Sequence, residues 1–129
     1  MDSLKLLKLG RLVDNFEEDA TGATAKWPDT THYKAEVPLG KRWFLLYGSF
    51  YRDANQTANV QILNAADKTV GYLGSYGATT GIAGYPLYSS TSVPECIILD
   101  AGWYIYITFG GAQGANAYAT AVVIEVQML

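Results

Sequence analysis

The chain has 129 residues, half of them hydrophobic and only 16% charged, with a formal net charge of -3. That length supports one hydrophobic core rather than two. A charged fraction well below the roughly 25% of an average domain implies uncharged surface that meets another subunit or a partner. The lysines and arginines are scattered or fall in the first dozen residues, so neither a basic patch nor nucleic-acid binding is expected.

The opening Met1-Asp2-Ser3-Leu4-Lys5 lacks the basic stretch and long apolar run of a secretory leader. No apolar run approaches the ~18 residues that cross a bilayer. Synthesis in the cytoplasm, with no membrane anchor, is the expectation. Residues 4–13 are rich in Leu and Lys, and Leu4 and Leu7 fit one helical face. Gly10 and the lack of a cap argue instead for an extended arm or an edge strand. From 14 to 31 the pattern lapses into an acidic cluster (Asp14, Glu17, Glu18, Asp19), an Ala/Thr/Gly run and Trp27-Pro28-Asp29. The organisation expected is an N-terminal arm and linker over 1–31, packed on the domain or on a neighbour, and a β-sandwich over 32–129.

Period-two alternation then takes over, punctuated by Gly, Pro, Asn and Asp. Residues 32–37 read as a strand that ends at Pro38-Leu39-Gly40-Lys41, with Pro at the second turn position and Gly where φ is free. Residues 42–52 are apolar on both faces and predict a central strand. Asp53-Ala54-Asn55-Gln56 predicts a turn, 57–63 a strand, 64–68 a second turn and 69–73 another strand, together a meander. Residues 74–92, rich in Gly, Ser, Thr, Ala and Tyr, predict a long loop of the kind that makes contacts. Strands follow at 93–99 and 103–109 around the tight turn Asp100-Ala101-Gly102. Trp103, Ile105, Ile107 and Phe109 share one face of the second strand. The loop 110–116 leads to a last strand, 117–127, with Tyr118, Thr120, Val122, Ile124 and Val126 on one side and Ala119, Ala121, Val123, Glu125 and Gln127 on the other. Seven or eight such strands without a helix predict an all-β, two-sheet antiparallel β-sandwich, jelly-roll-like, with an extended N-terminal arm. Strand order is not readable from spacing.

Chemistry is sparse. His32 is the one histidine and Cys96 the one cysteine, so no intrachain disulfide forms and no ordinary zinc ligand set can be assembled. Cys96 reads as a buried small hydrophobe. Glu17, Glu18 and Asp19 adjoin one another instead of facing across a cleft as paired acids do. Asp53-Ala54-Asn55-Gln56-Thr57 alternates oxygen-bearing side chains but lacks the rest of a calcium loop. Gly110-Gly111-Ala112-Gln113-Gly114 follows a strand without the helix and Lys-Ser/Thr pair of a phosphate loop. No catalytic, metal or cofactor residue is assigned, and an enzyme is not expected.

The ten tyrosines are the more telling feature. Their apolar bodies and polar tips suit interfaces and sugar-stacking platforms alike. The contact candidates are Leu4, Leu6, Leu7, Leu9 and Leu12 of the arm, Tyr76, Tyr85 and Tyr88 of the long loop, and Tyr104 and Tyr106. The small Ala119/Ala121 face would let another sheet or a partner subunit approach closely.

Two stretches resemble known proteins. Val37-Pro38-Leu39-Gly40-Lys41-Arg42-Trp43, followed by apolar residues, is similar to a strand-ending turn of small virion proteins of tailed bacterial and archaeal viruses. Leu99-Asp100-Ala101-Gly102-Trp103-Tyr104-Ile105, with Thr108-Phe109-Gly110, resembles a companion stretch. Both are turn chemistry between strands, so the resemblance marks a fold more than a function. It implies a sandwich or jelly-roll structural protein of the virion that decorates a capsid or belongs to a tail, with decoration the leading expectation. The partners it implies are further copies, in a homotrimer, and a major capsid or other virion protein. The alternative is a tail-associated receptor- or glycan-binding module using Tyr76, Tyr85 and Tyr88.

Overall fold

A computed structural model describes the backbone of residues 10–13, and residues 31–87 and 97–128 in full. Its seven strands are β1 (Gly10–Val13), β2 (His32–Glu36), β3 (Lys41–Leu63), β4 (Thr69–Tyr85), β5 (Ile97–Leu99), β6 (Tyr104–Phe109) and β7 (Tyr118–Gln127). Every pairing is antiparallel.

Two expectations fail, for one reason. The turn predicted at Asp53–Gln56 is a bend inside β3, and most of the predicted loop 74–92 is the second half of β4. The pairing of β3 with β4 breaks register between Arg52 and Gln56. Residues with turn chemistry sit there because each strand bends and passes from one sheet to the other without leaving the ladder. The rest of the predicted loop, 88–92 with Tyr88, lies outside the described residues. So do Leu4, Leu6, Leu7, Leu9, the acidic cluster and Cys96.

Counting each half of β3 and β4 separately gives two sheets among the described residues, one of five strands and one of four. The first runs β1–β7–β3 (41–52)–β4 (81–85), with β5 beside 43–45 of β3. The second runs β2–β6–β3 (58–63)–β4 (69–76). The described strands thus form one long antiparallel hairpin rolled up around its own core. Its tip is at 64–68, where Asn64 Oδ1 accepts from the amides of Ala66 and Lys68. That winding is a jelly roll. The Leu87 amide donates to Leu73 O at 2.7 Å and ties the end of β4 back to its beginning.

The core lies between the sheets and follows the alternation. The first sheet contributes Trp43, Leu45, Phe50, Leu99, Ala119, Ala121 and Val123, and the second Tyr33, Ala35, Val60, Ile62, Ile105 and Ile107. Ring contacts Tyr33–Phe109 (5.8 Å), Phe109–Phe50 (6.0 Å) and Phe50–Tyr76 (5.0 Å) run across it edge to face. The Ala119/Ala121 face is therefore turned inward, and no subunit approaches along it. Its small side chains, with Gly48 opposite Ala121, leave the space that the Tyr85 ring occupies.

Three charged or amide side chains are buried with the core. Trp43 Nε1 donates to Glu125 Oε2 at 2.9 Å across a directly opposed pair of β3 and β7. Arg52 Nη1 donates to Gln56 O at 2.7 Å and Gly77 O at 2.8 Å, joining the bend of β3 to that of β4. Gln113 Oε1 accepts from the Ala54 amide at 3.0 Å on the same corner.

Candidate functional site

The two stretches that carry the resemblance meet at one corner. Val37 donates its amide to Trp103 O at 2.8 Å, and Gly102 donates to Val37 O at 3.0 Å. Trp43 pairs with Leu99 in the ladder, and Arg42 Nε donates to Asp100 Oδ1 at 2.8 Å. Each turn is closed by a backbone bond, from Lys41 to Pro38 O and from Trp103 to Asp100 O. The glycines at their third positions, Gly40 and Gly102, have φ of 78° and 84°, where other residues are strained. Pro38 stands first in its turn, not second. The residues of both stretches thus hold the two sheets together at one end and converge on no reacting centre.

The other two stretches with motif-like chemistry also meet each other. The Asp53 carboxylate accepts from the Gly114 amide at 2.5 Å and the Asn116 amide at 3.1 Å, clamping the 110–116 loop. A side chain at Gly114 would run into that carboxylate, and one at Gly110 into Thr57. The oxygen-rich 53–57 stretch and the Gly-rich loop are two sides of one packed corner.

The candidate tyrosines separate by environment. Tyr85 is 2% exposed, lies across Gly48 and donates its hydroxyl to Thr120 O at 2.6 Å, so it offers no ring to a ligand. Burial pushes its ionisation far above the ordinary tyrosine range. Tyr76 packs edge-on against Phe50 and donates to Gly84 O at 2.5 Å. Burial raises its pKa to about 12, against the opposing pull of Arg52. Tyr104 is buried under Lys34, whose Nζ sits 4.3 Å from the ring centre, and donates to Asp67 Oδ1 at 2.8 Å. Burial first, then the bond to the Asp67 carboxylate, raises it to about 12. Tyr106 is half-buried between His32 and Tyr104. Leu12 stands opposite Ile124 in the β1–β7 ladder.

The outer faces of the sheets, which alternation alone could not rank, differ in charge. Outside the second sheet the Lys34–Glu36 ion pair, at 3.4 Å, and Gln61 bonded by Thr69 stand among Tyr104, Tyr106 and Tyr72, the last 69% exposed. Outside the first, the opposed pairs of β3 and β7 are Phe44–Ile124, Tyr47–Val122, Ser49–Thr120 and Tyr51–Tyr118. Ile98 of β5 stands beside Phe44 and Ile82 of β4 beside Tyr51. Tyr51 and Tyr118 stack with centroids 5.6 Å apart, and the Ser49 and Thr120 hydroxyls bond each other at 2.8 Å. Tyr47 is 57% exposed, Ile98 49% and Ile82 69%. These pairs carry no charge; Arg42, at one end of the face, is paired with Asp100.

No protein-family model matches the chain. No curated protein matches it. Among solved structures, the chain is similar to the cryo-EM structure of a virus-like particle of the extra small virus of the giant freshwater prawn Macrobrachium rosenbergii. The TM-score is 0.47 at 12% sequence identity, over 90% of this chain and 75% of that one.

Proposed function

We propose that the protein is a non-enzymatic structural component of a virion, a decoration protein that binds the assembled capsid and stabilises it. The observation that carries this reading is the corner at which 37–43 and 99–110 interlock. These stretches resemble turns of virion proteins, and here they do structural work together. Further support comes from the winding, since jelly rolls are the architecture of viral capsid domains among others, an argument by fold analogy. Of the glycan-binding alternative's three rings, Tyr85 is in the core, Tyr76 is covered on one side by Phe50, and Tyr88 lies outside the described residues, so less supports that reading.

In this reading the leucines of 4–9 dock on the shell or a neighbouring copy, gaining about 25 cal/mol per Å² of apolar area less the cost of ordering the arm. The test is co-sedimentation with undecorated shells, comparing the full chain with one lacking residues 2–9, which keeps β1 in its sheet. The full chain is expected to pellet with shells, and the shortened one to stay in the supernatant with an unchanged melting temperature. A full chain that ignores shells overturns the function, and full binding by the shortened chain removes the arm from it.

A further inference from the structure

We infer that the outer face of the first sheet is a self-association surface, on which a second copy of this chain packs face to face about a two-fold axis. The inference does not depend on the virion reading. It rests on the contrast between the two outer faces of one sandwich. The second sheet sets the charged Lys34–Glu36 pair and the bonded Gln61 among its own tyrosines Tyr72, Tyr104 and Tyr106, so that face carries charge as well as rings. The first shows Phe44, Tyr47, Tyr51, Tyr118, Val122 and Ile124 in opposed pairs.

Three properties of that face favour a second copy as its occupant. The first is charge. The chain carries a net charge of -3, so copies repel at long range, yet the opposed pairs of this face bring no charge against charge when two copies meet. The second is desolvation. Its central polar pair is already satisfied, Ser49 with Thr120, so covering that pair orphans neither of its two hydroxyls. The third is size. Ten residues of three strands cover about 33 Å by 14 Å, about 460 Å² per copy and about 920 Å² for two, close to the ~1,000 Å² that a specific interface needs. Side-chain relief and the flanking strand β1 add to that flat footprint. Packing like face on like face is isologous, so it closes at two copies instead of the three that the resemblance implies.

The measurement is sedimentation velocity of the full chain over a micromolar concentration series, beside Val122→Lys and Tyr47→Lys. These two positions oppose each other on the face. The expected result is a dimer that each substitution weakens by roughly 30-fold or more, as loss of a central anchor does. Tyr47 is 57% exposed, so its replacement tests the contact even where Val122→Lys costs the fold. A wild-type monomer throughout the series overturns the inference, as does any oligomer whose mass a folded Tyr47→Lys chain retains. Shell binding by a monomer, or a dimer that ignores shells, tells its failure apart from that of the proposed function.

Discussion

Tyr85 and Gly48 act as one unit. The Tyr85 ring lies where a Cβ on residue 48 would be, and the same Cβ would come within 2.5 Å of Thr120 O. Close packing transmits such a conflict to the backbone, because neither a buried ring nor a ladder carbonyl can give way cheaply. Gly48→Ala is therefore expected to destabilise the protein by about 2–3 kcal/mol, read as a drop in the urea midpoint at constant slope. Tyr85→Ala alone is expected to cost about 3–5 kcal/mol, as large-to-small changes of buried aromatics do. Combined, the two should cost less than their sum by about 1 kcal/mol or more, because the alanine removes the ring that the new methyl strikes. Simple additivity would show that Gly48 is required for the Thr120 backbone alone. Residue type could not have placed Tyr85: in a Gly- and Ser-rich stretch it reads as a loop aromatic, and only Gly48, on another strand, reveals the slot it fills.

At the scale of the element, the bends of β3 and β4 are what turn two strands into parts of two sheets. A bend interrupts the ladder and frees carbonyls that the core cannot solvate. Arg52 meets that need: it is 2% exposed, and one terminal nitrogen binds Gln56 O on its own strand and Gly77 O on the next. Among the described residues no carboxylate pairs with it, and burial lowers its pKa from the ordinary arginine value. Its role is thus to hold carbonyls, with its stem against the Phe50 ring. Arg52→Met keeps most of the stem and removes both bonds. It is expected to lower stability by about 2–4 kcal/mol, and amide exchange at 52–57 and 77–81 should quicken more than at β7. A uniform rise in exchange over all strands would mean that Arg52 supports the core in general and not the bend. Local sequence could not show this. Asp53-Ala54-Asn55-Gln56 carries the composition of a hairpin turn, and a bend within a continuous strand uses the same residue types. Where alternation was clean, as in β6 and β7, faces and boundaries were legible within a residue or two. In β4 the Gly/Ala/Thr composition hid a strand whose partner is the equally long β3.

For the molecule as a whole, what the sequence could not carry is pairing between distant segments: β1 with β7, β2 with β6, and each half of β3 with a different pair of neighbours. Alternation is a local signal, and it is silent on which of two outer faces meets water. The buried tyrosines give a measurable consequence of this wrapping. Tyr104 and Tyr76 ionise near 12 in the folded protein and Tyr85 higher still, whereas in the unfolded chain all three return to the ordinary value of about 10. Above pH ~10 the unfolded state loses these protons first, so it binds fewer than the native state and stability falls as pH rises. The stabilisation is fully present below pH ~10 and is lost progressively towards pH ~12. Urea midpoints are therefore expected to be insensitive to these groups up to pH ~10 and to drop between ~10 and ~12, together with the rise of tyrosinate absorbance. Tyr104→Phe removes one of the shifted groups and should make the drop shallower, while losing the Asp67 bond lowers the plateau. A midpoint that stays level to pH 12, or a drop that Tyr104→Phe leaves equally steep, would show that these rings ionise alike in the folded and unfolded chain.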